Sequence, residues 1–289
     1  MKPLLQFQNI KFSQKLLLLI FAFLLCFVIT TMLNALVLSV LGANSMLYIN
    51  LSILSQNLLV FILPVVIASV FVAPKPMQFL ELDKVPSLKS ILMVILIFAV
   101  MTPALNYLVE WNQNISLPES MAGIEALMRN AENAATAVTD MILQENNIIV
   151  SILLVGCLTG LSEEVFFRGG LQRILLSRPM NVHLAIWLAA FVFSAMHFQF
   201  YGFFPRLIIG AFFGYMALWS GSLWVAIFAH ALNNSTVIVA HAIDQTYGYN
   251  LDNLGLTQQG EFPWVAMISL IVTSLLIVFY YKQSKKTND

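Results

Sequence analysis

Ser151 to Leu176 reads SILLVGCLTGLSEEVFFRGGLQRILL. The segment belongs to an apolar run long enough to cross a bilayer, which takes about 20 residues at 1.5 Å each. Near its middle stand Glu163, Glu164 and Arg168. Ionisable side chains inside a membrane helix are costly, and they face a cavity or a partner when they occur. The segment is therefore read both as a membrane span and as the place where chemistry is concentrated.

The composition around it agrees. The chain has 289 residues, 60% of them hydrophobic and 10% charged, with a mean hydropathy of +0.85. Average soluble domains carry about 25% charged residues. Fourteen Lys and Arg balance fourteen Asp and Glu, too few groups to cover the surface of a soluble protein this long. A soluble enzyme, a disordered chain and a nucleic-acid binder with a basic face are excluded, so no nucleic acid is expected as a partner. The apolar residues come in unbroken runs rather than in alternation, which argues for helices and against a β-barrel. Cys26 and Cys157 both lie in apolar runs, so neither a structural disulfide nor a Cys/His zinc site is expected.

Eight runs are candidate spans: 16–41, 50–73, 88–109, 147–176, 182–201, 204–219, 222–243 and 262–281. The first has the basic flank of a signal peptide (Lys2, Lys11, Lys15) but about 26 apolar residues, too many for a secretory h-region. It is read as a retained helix. Sorting the cations tests the count. With eight spans, Lys2, Lys11, Lys15, Lys75, Lys84, Lys89, Arg168, Arg173, Arg178, Lys282, Lys285 and Lys286 fall on one side. Only Arg129 and Arg206 fall outside, and the outer loops hold Glu110, Glu119, Glu125, Glu132, Asp140, Glu145, Asp244, Asp252 and Glu261. A seven-span count would put the C-terminal cations outside. The expectation is an all-α polytopic membrane bundle of eight helices, a single domain over 1–289 in the cytoplasmic (plasma) membrane, with both termini in the cytoplasm.

The longest outer loop, 110–146, carries Met121, Ile124, Met128, Ala131, Ala135, Val138 and Ile142 at steps of three and four. That spacing predicts an amphipathic helix, lying on the outer leaflet or packed over the bundle. A substrate-gating lid is the sharper alternative.

Within the spans the polar groups are few. Glu164 and Arg168 are i and i+4, in the order that favours an ion pair. Glu163 is rotated by about 100° from Glu164, so Arg168 cannot serve both acids equally, and one carboxylate needs another partner. Glu163 and His197 stand about 16 and 18 residues on either side of the hairpin turn at Ser177–Asn181, which sets both roughly 24–27 Å from it. His230 and Asn234 are i and i+4 on the seventh run. If the fourth and fifth helices protrude a turn or two into the cytoplasm, all four groups share one level. His183 and His241 are read as interfacial residues.

At these residues the sequence resembles a known family. EEVFFRGGLQ (Glu163–Gln172) is similar to the E-E-x-x-x-R motif of the CPBP intramembrane glutamic endopeptidases, which include the type II CAAX prenyl endopeptidase and the bacterial Abi proteins. Phe193 to His197 matches F-x-x-x-H, and His230 to Asn234 matches H-x-x-x-N, in the family order, within a core at 147–245. The resemblance implies an eight-helix bundle with a cavity open to the cytosol. It implies Glu163 as the base that activates water, His197 as its assistant, His230 and Asn234 as oxyanion donors, and Glu164 with Arg168 as a supporting pair. Hydrolysis needs such a base and such donors. The substrate implied is a membrane-associated peptide or protein, lipidated or not.

Alternatives stay open. Glu163, His197 and His230 would make a His₂Glu zinc set, although no H-E-x-x-H helix is present. Because asparagine fits an oxyanion donor better than a zinc ligand, a reaction without metal or cofactor is expected. The same residues could lock a non-catalytic scaffold or bacteriocin-protection protein, or relay protons in a transporter.

Overall fold

The computed structural model describes residues 10–43, 45–248 and 262–288; Lys2, Asp252 and Glu261 lie outside them. In chain order the helices are α1 (Phe12–Leu41), α2 (Met46–Val72), α3 (Leu88–Gln113), α4 (Ala122–Glu145), α5 (Ile148–Leu176), α6 (Val182–Ala195), α7 (Phe203–Ser220), α8 (Leu223–Tyr247) and α9 (Trp264–Asn288). All but α4 and α6 are long and apolar enough to cross a membrane, and no strand occurs among the described residues. Local chemistry starts and stops the helices. The side chains of Ser87, Asn147 and Asn181 accept first-turn N–H groups of α3, α5 and α6, as N-caps do. Gly221 and Gly248 close α7 and α8 with φ of 62° and 69°, a left-handed backbone that glycine adopts without strain.

Contacts at one end of the bundle gather the cation-rich segments. The Arg178 guanidinium lies 5.6 Å from the Phe12 ring. Arg173 pairs with Glu81 at 3.0 Å and donates to the Phe79 carbonyl. Ser222 donates to the Lys84 carbonyl, Tyr280 to Ser90, and Lys285 lies over Tyr281. The start of α1, the loop before α3, the α5–α6 turn, the α7–α8 turn and the end of α9 therefore share one end. A return to the starting side takes an even number of crossings, so the short α6 would have to cross together with the seven longer helices.

The fifth run differs from its expected extent. It is helical only over Val182–Ala195, 14 residues or about 21 Å, short of the roughly 30 Å hydrocarbon core. The chain then turns through Met196–Gln199, with Phe198 at φ 53°. Ser194 ends the helix from inside by donating to the Phe203 carbonyl at 2.6 Å, and buried Asn112 of α3 bonds both the Phe200 carbonyl and the Phe204 N–H. Non-helical backbone at membrane depth survives only where protein covers it or it lines a cavity, and here α4 supplies cover.

The amphipathic helix of the 110–146 loop is present as α4 and packs over the bundle, by a different edge from the one its apolar stripe suggests. Tyr201 donates to Glu125 at 3.3 Å, and Gln199 donates to Glu132 at 3.4 Å. Ile142 is buried, while Ile124, Leu127 and Val138 are exposed. The Leu117 N–H, donating at 2.8 Å, and then the Arg129 guanidinium hold the Glu125 carboxyl below the usual carboxylate range.

Helices α5 and α8 touch through glycine. A methyl on Gly160 would stand 2.9 Å from the Ala231 backbone nitrogen, and one on Gly156 would stand 2.5 Å from the Ser235 hydroxyl. Small residues four apart let membrane helices approach to backbone contact. Gly160→Ala should force the pair apart and cost about 1–3 kcal/mol, the usual range for overpacking. Thermal unfolding in detergent would show a lowered midpoint, whereas Gly123→Ala, where a methyl meets nothing within 4 Å, should leave it unchanged.

Candidate active site

The two adjacent carboxylates of α5 have different surroundings. Glu164 is fully buried, and its Oε1 accepts from Arg168 Nη1 at 2.6 Å and from His230 Nδ1 at 2.7 Å. Arg168, equally buried, also donates from Nη2 to the Gly210 carbonyl at 2.6 Å. Its guanidinium carbon lies 4.8 Å from the Phe193 ring centre and 5.5 Å from that of Phe213. One turn further, Gln172 donates to the Gly214 carbonyl at 3.1 Å. The expected Glu164–Arg168 pair is present, and Glu164 additionally orients His230.

Glu163 makes no hydrogen bond among the described residues. Its Oε2 stands 3.6 Å from His230 Nε2, and its side chain keeps 10% exposure. The His230 ring is stacked on Phe213 at 4.8 Å and meets Phe193 edge-on at 5.7 Å. Because a carboxylate only accepts, His230 donates through Nδ1–H to Glu164 and turns Nε2 to Glu163. His197 donates through Nδ1–H to the Phe193 carbonyl at 2.8 Å, which leaves Nε2 free. Among charged groups His197 feels Glu163 most, then Arg206.

Of the four groups expected at one depth, Glu163 and His230 are brought level. Gly169 lies against Leu223, the first residue of α8. Gly170–Leu176, about 10 Å of α5, therefore extends past the start of α8, which levels Glu163 with His230.

Asn234 is engaged elsewhere. Its amide donates to the Val155 carbonyl at 3.2 Å and its oxygen accepts from Asn233 at 3.0 Å. It stands one turn, about 6 Å along α8, beyond His230. The expected set is thus Glu163, Glu164, Arg168, His197 and His230 in one cluster, with Asn234 at its edge. Among the described residues no three His, Cys, Asp or Glu side chains form a group able to hold a metal ion.

Sequence reasoning missed several supporting residues. Ser162 donates to Asn57 of α2, which itself donates to Thr159 at 3.2 Å and to the Ile53 carbonyl at 2.9 Å. A carboxamide inside an apolar run was the available sign. The G-x-x-x-G spacings at Gly156–Gly160 and Gly210–Gly214 were another. Arg206, read only as an outer-side cation, reaches Gln199 beside His197, donating at 2.6 Å.

Comparison with known proteins adds one family. Residues 145–236 match the family model described as Rce1-like, type II CAAX prenyl endopeptidase. This is a family of CAAX-type proteases, and it is the one the three motifs suggest. The match runs from α5 into α8 and contains Glu163, Glu164, Arg168, His197, His230 and Asn234. No curated protein and no solved structure matches the chain.

Removing one partner of a buried ion pair leaves the other uncompensated, at about 3–5 kcal/mol, whereas removing both costs much less. Arg168→Met should strongly lower the amount of folded protein in the membrane. Adding Glu164→Gln to that variant should recover part of it, as read by size-exclusion profile and thermal midpoint.

Proposed function

We propose that the chain is an intramembrane endopeptidase that hydrolyses a peptide bond near the cytosolic face, with water activated by Glu163. The observation that carries this is the unequal environment of the two carboxylates. Glu164 binds Arg168 and His230 through Oε1, while Glu163 makes no hydrogen bond among the described residues and turns Oε2 to His230 Nε2 at 3.6 Å.

In the proposed reaction Glu163 takes a proton from water, with His197 Nε2 orienting that water. The oxygen attacks the peptide carbonyl carbon, and the carbonyl oxygen takes up the negative charge. His230, held by Glu164, stabilises this oxyanion from Nε2, and the second N–H of Asn234 assists. The C–N bond then breaks as the proton passes from Glu163 to the departing nitrogen. Glu164 offsets the charge of Arg168, and His230 must carry a proton on Nε2 to donate to the oxyanion.

No metal or cofactor is needed in this scheme. His230 and His197 each donate through Nδ1, an orientation that a ligand bound through Nε2 would share, so chelation decides between the two versions. Full turnover in the presence of a chelator is expected, and loss of activity with recovery on adding zinc would favour the metal version.

The basic end of the bundle fits the cytoplasm by the positive-inside rule, so both termini are assigned there, in the plasma membrane. His230 then lies about 10 Å into α8 from that side. The substrate is a membrane-associated peptide or protein, lipidated or not. A cavity of about 310 Å³ between α3, α7 and α8 lies beyond His230 as seen from the cytosolic end and reaches the edge of the site at Asn233, the donor to Asn234.

Comparing peptide termini in the native host between wild type and Glu163→Gln tests the reading and names the substrate together. Glu163→Gln and His197→Ala should each reduce cleavage about 10²–10⁴-fold, the range for losing a general acid–base group, with expression and insertion unchanged. If Glu163→Gln retained every cleavage and full function in the cell, the non-catalytic scaffold would be the better reading.

A further inference from the structure

His197 stands two residues past the end of α6, in a turn closed by its own N–H on the Ser194 carbonyl at 3.3 Å and the Phe198 N–H on the Ala195 carbonyl at 3.0 Å, beyond which no α-helical ladder continues. Side chains from three other helices anchor that turn. Arg206 of α7 grips Gln199 twice, donating to its backbone carbonyl at 3.2 Å and to its side-chain oxygen at 2.6 Å. Gln199 in turn donates to Glu132 of α4 at 3.4 Å. Asn112 of α3 fixes Phe200 and Phe204, as described above. The second carboxylate oxygen of Glu132 is buried without a hydrogen-bond partner, and the charges acting most on Arg206 are Glu132 and then Glu163.

We propose that Arg206 and Gln199 are positioning residues for His197, and that Glu132 on the outer helix α4 locks them in place. This rests on the endopeptidase reading. The physical reasons are two. A turn in sparsely populated backbone (Phe198, φ 53°) keeps its shape only when its surroundings over-determine it, and a misplacement of about 1 Å in a reacting group can cost about 10²-fold in rate. A guanidinium released from Gln199 would also be free to pair with Glu163 and so neutralise the proposed base. The anchored arrangement holds that cation on the outer side, between Gln199 and Glu132. A helix outside the spans thereby becomes part of the catalytic apparatus without touching the substrate.

The test uses the full chain, with Arg206→Met, Arg206→Lys, Glu132→Leu and Glu163→Gln, and Asn133→Ala on the exposed side of α4 as control. Two quantities are read. One is the abundance of those peptide termini in the native host that disappear in Glu163→Gln. The other is amide hydrogen exchange of residues 196–204 in the purified protein in nanodiscs. Arg206→Met and Glu132→Leu should lower the termini by about tenfold or more, consistent with a sub-ångström to 1 Å misplacement. They should also speed exchange in 196–204 while the thermal midpoint stays put. Arg206→Lys, which can keep one donation, should lose less, and Asn133→Ala should change neither reading. Wild-type levels of the termini, or a loss without faster exchange in 196–204, would overturn the proposal. If Glu163→Gln removes no termini, the catalytic reading itself fails, and the exchange data alone then decide whether α4 anchors the turn.

Discussion

A guanidinium buried in the middle of a membrane bundle must be neutralised and hydrogen-bonded, because desolvating an unpaired charge costs several kcal/mol even after relaxation. Arg168 meets that demand from three directions. Glu164, one turn back on its own helix, supplies the charge, the Gly210 carbonyl of α7 supplies a second acceptor, and the rings of Phe193 and Phe213 cover its faces. Each direction constrains a helix. The carbonyl is reachable because Gly210 has no side chain, since a methyl there would stand 3.2 Å from Arg168 Nη2. Glu164 has acceptor capacity left after pairing, and His230 uses it. That hydrogen bond needs α8 close against α5, which Gly160 permits. The packing of α5, α7 and α8 thus follows from one buried cation.

The same demand separates the two acids. Had Arg168 been shared between them, neither carboxylate would be free to act on water. With Glu164 Oε1 taken by Arg168 and His230, Glu163 is left outside the pair, 10% exposed and facing His230 Nε2. The difference between two neighbouring residues of the same type is what favours a site over a lock.

Much of this was legible in the sequence, and for reasons that also set the limit. The eight apolar runs and the one-sided cations specify the bundle and its shared end, because hydropathy and the charge rule act on the chain as written. The i, i+4 pair and the depth matching bring Glu163, His197 and His230 together, because helix rise is nearly constant. What the sequence does not reveal depends on partners remote in sequence. The run through 201 looks helical to Tyr201; it stops at Ala195, where Ser194 and Asn112 bond the backbone of the next segment. The stripe on α4 was recognised, but periodicity does not say what a helix meets, and Tyr201 and Gln199 draw its acidic edge inward. Asn234 shares a face with His230, yet its amide is directed to Val155 by the close α5–α8 contact.

The interruption of α6 bears on how such a site can exist. A histidine in mid-helix would have its position fixed by the ladder around it and its ring packed against neighbouring helices. Past a helix end, His197 keeps one donation to Phe193 and holds Nε2 free for water or substrate. The cost is irregular backbone inside the bilayer, which has to be covered. Cover arrives from α4, through Glu125 with Arg129 over the Tyr201 ring at 4.3 Å, and through Glu132. The amphipathic helix α4 thus packs against the irregular turn that carries this imidazole. The exposed Ile124, Leu127 and Val138 on its other side are suited to the outer leaflet, which would hold the cover against the turn from above.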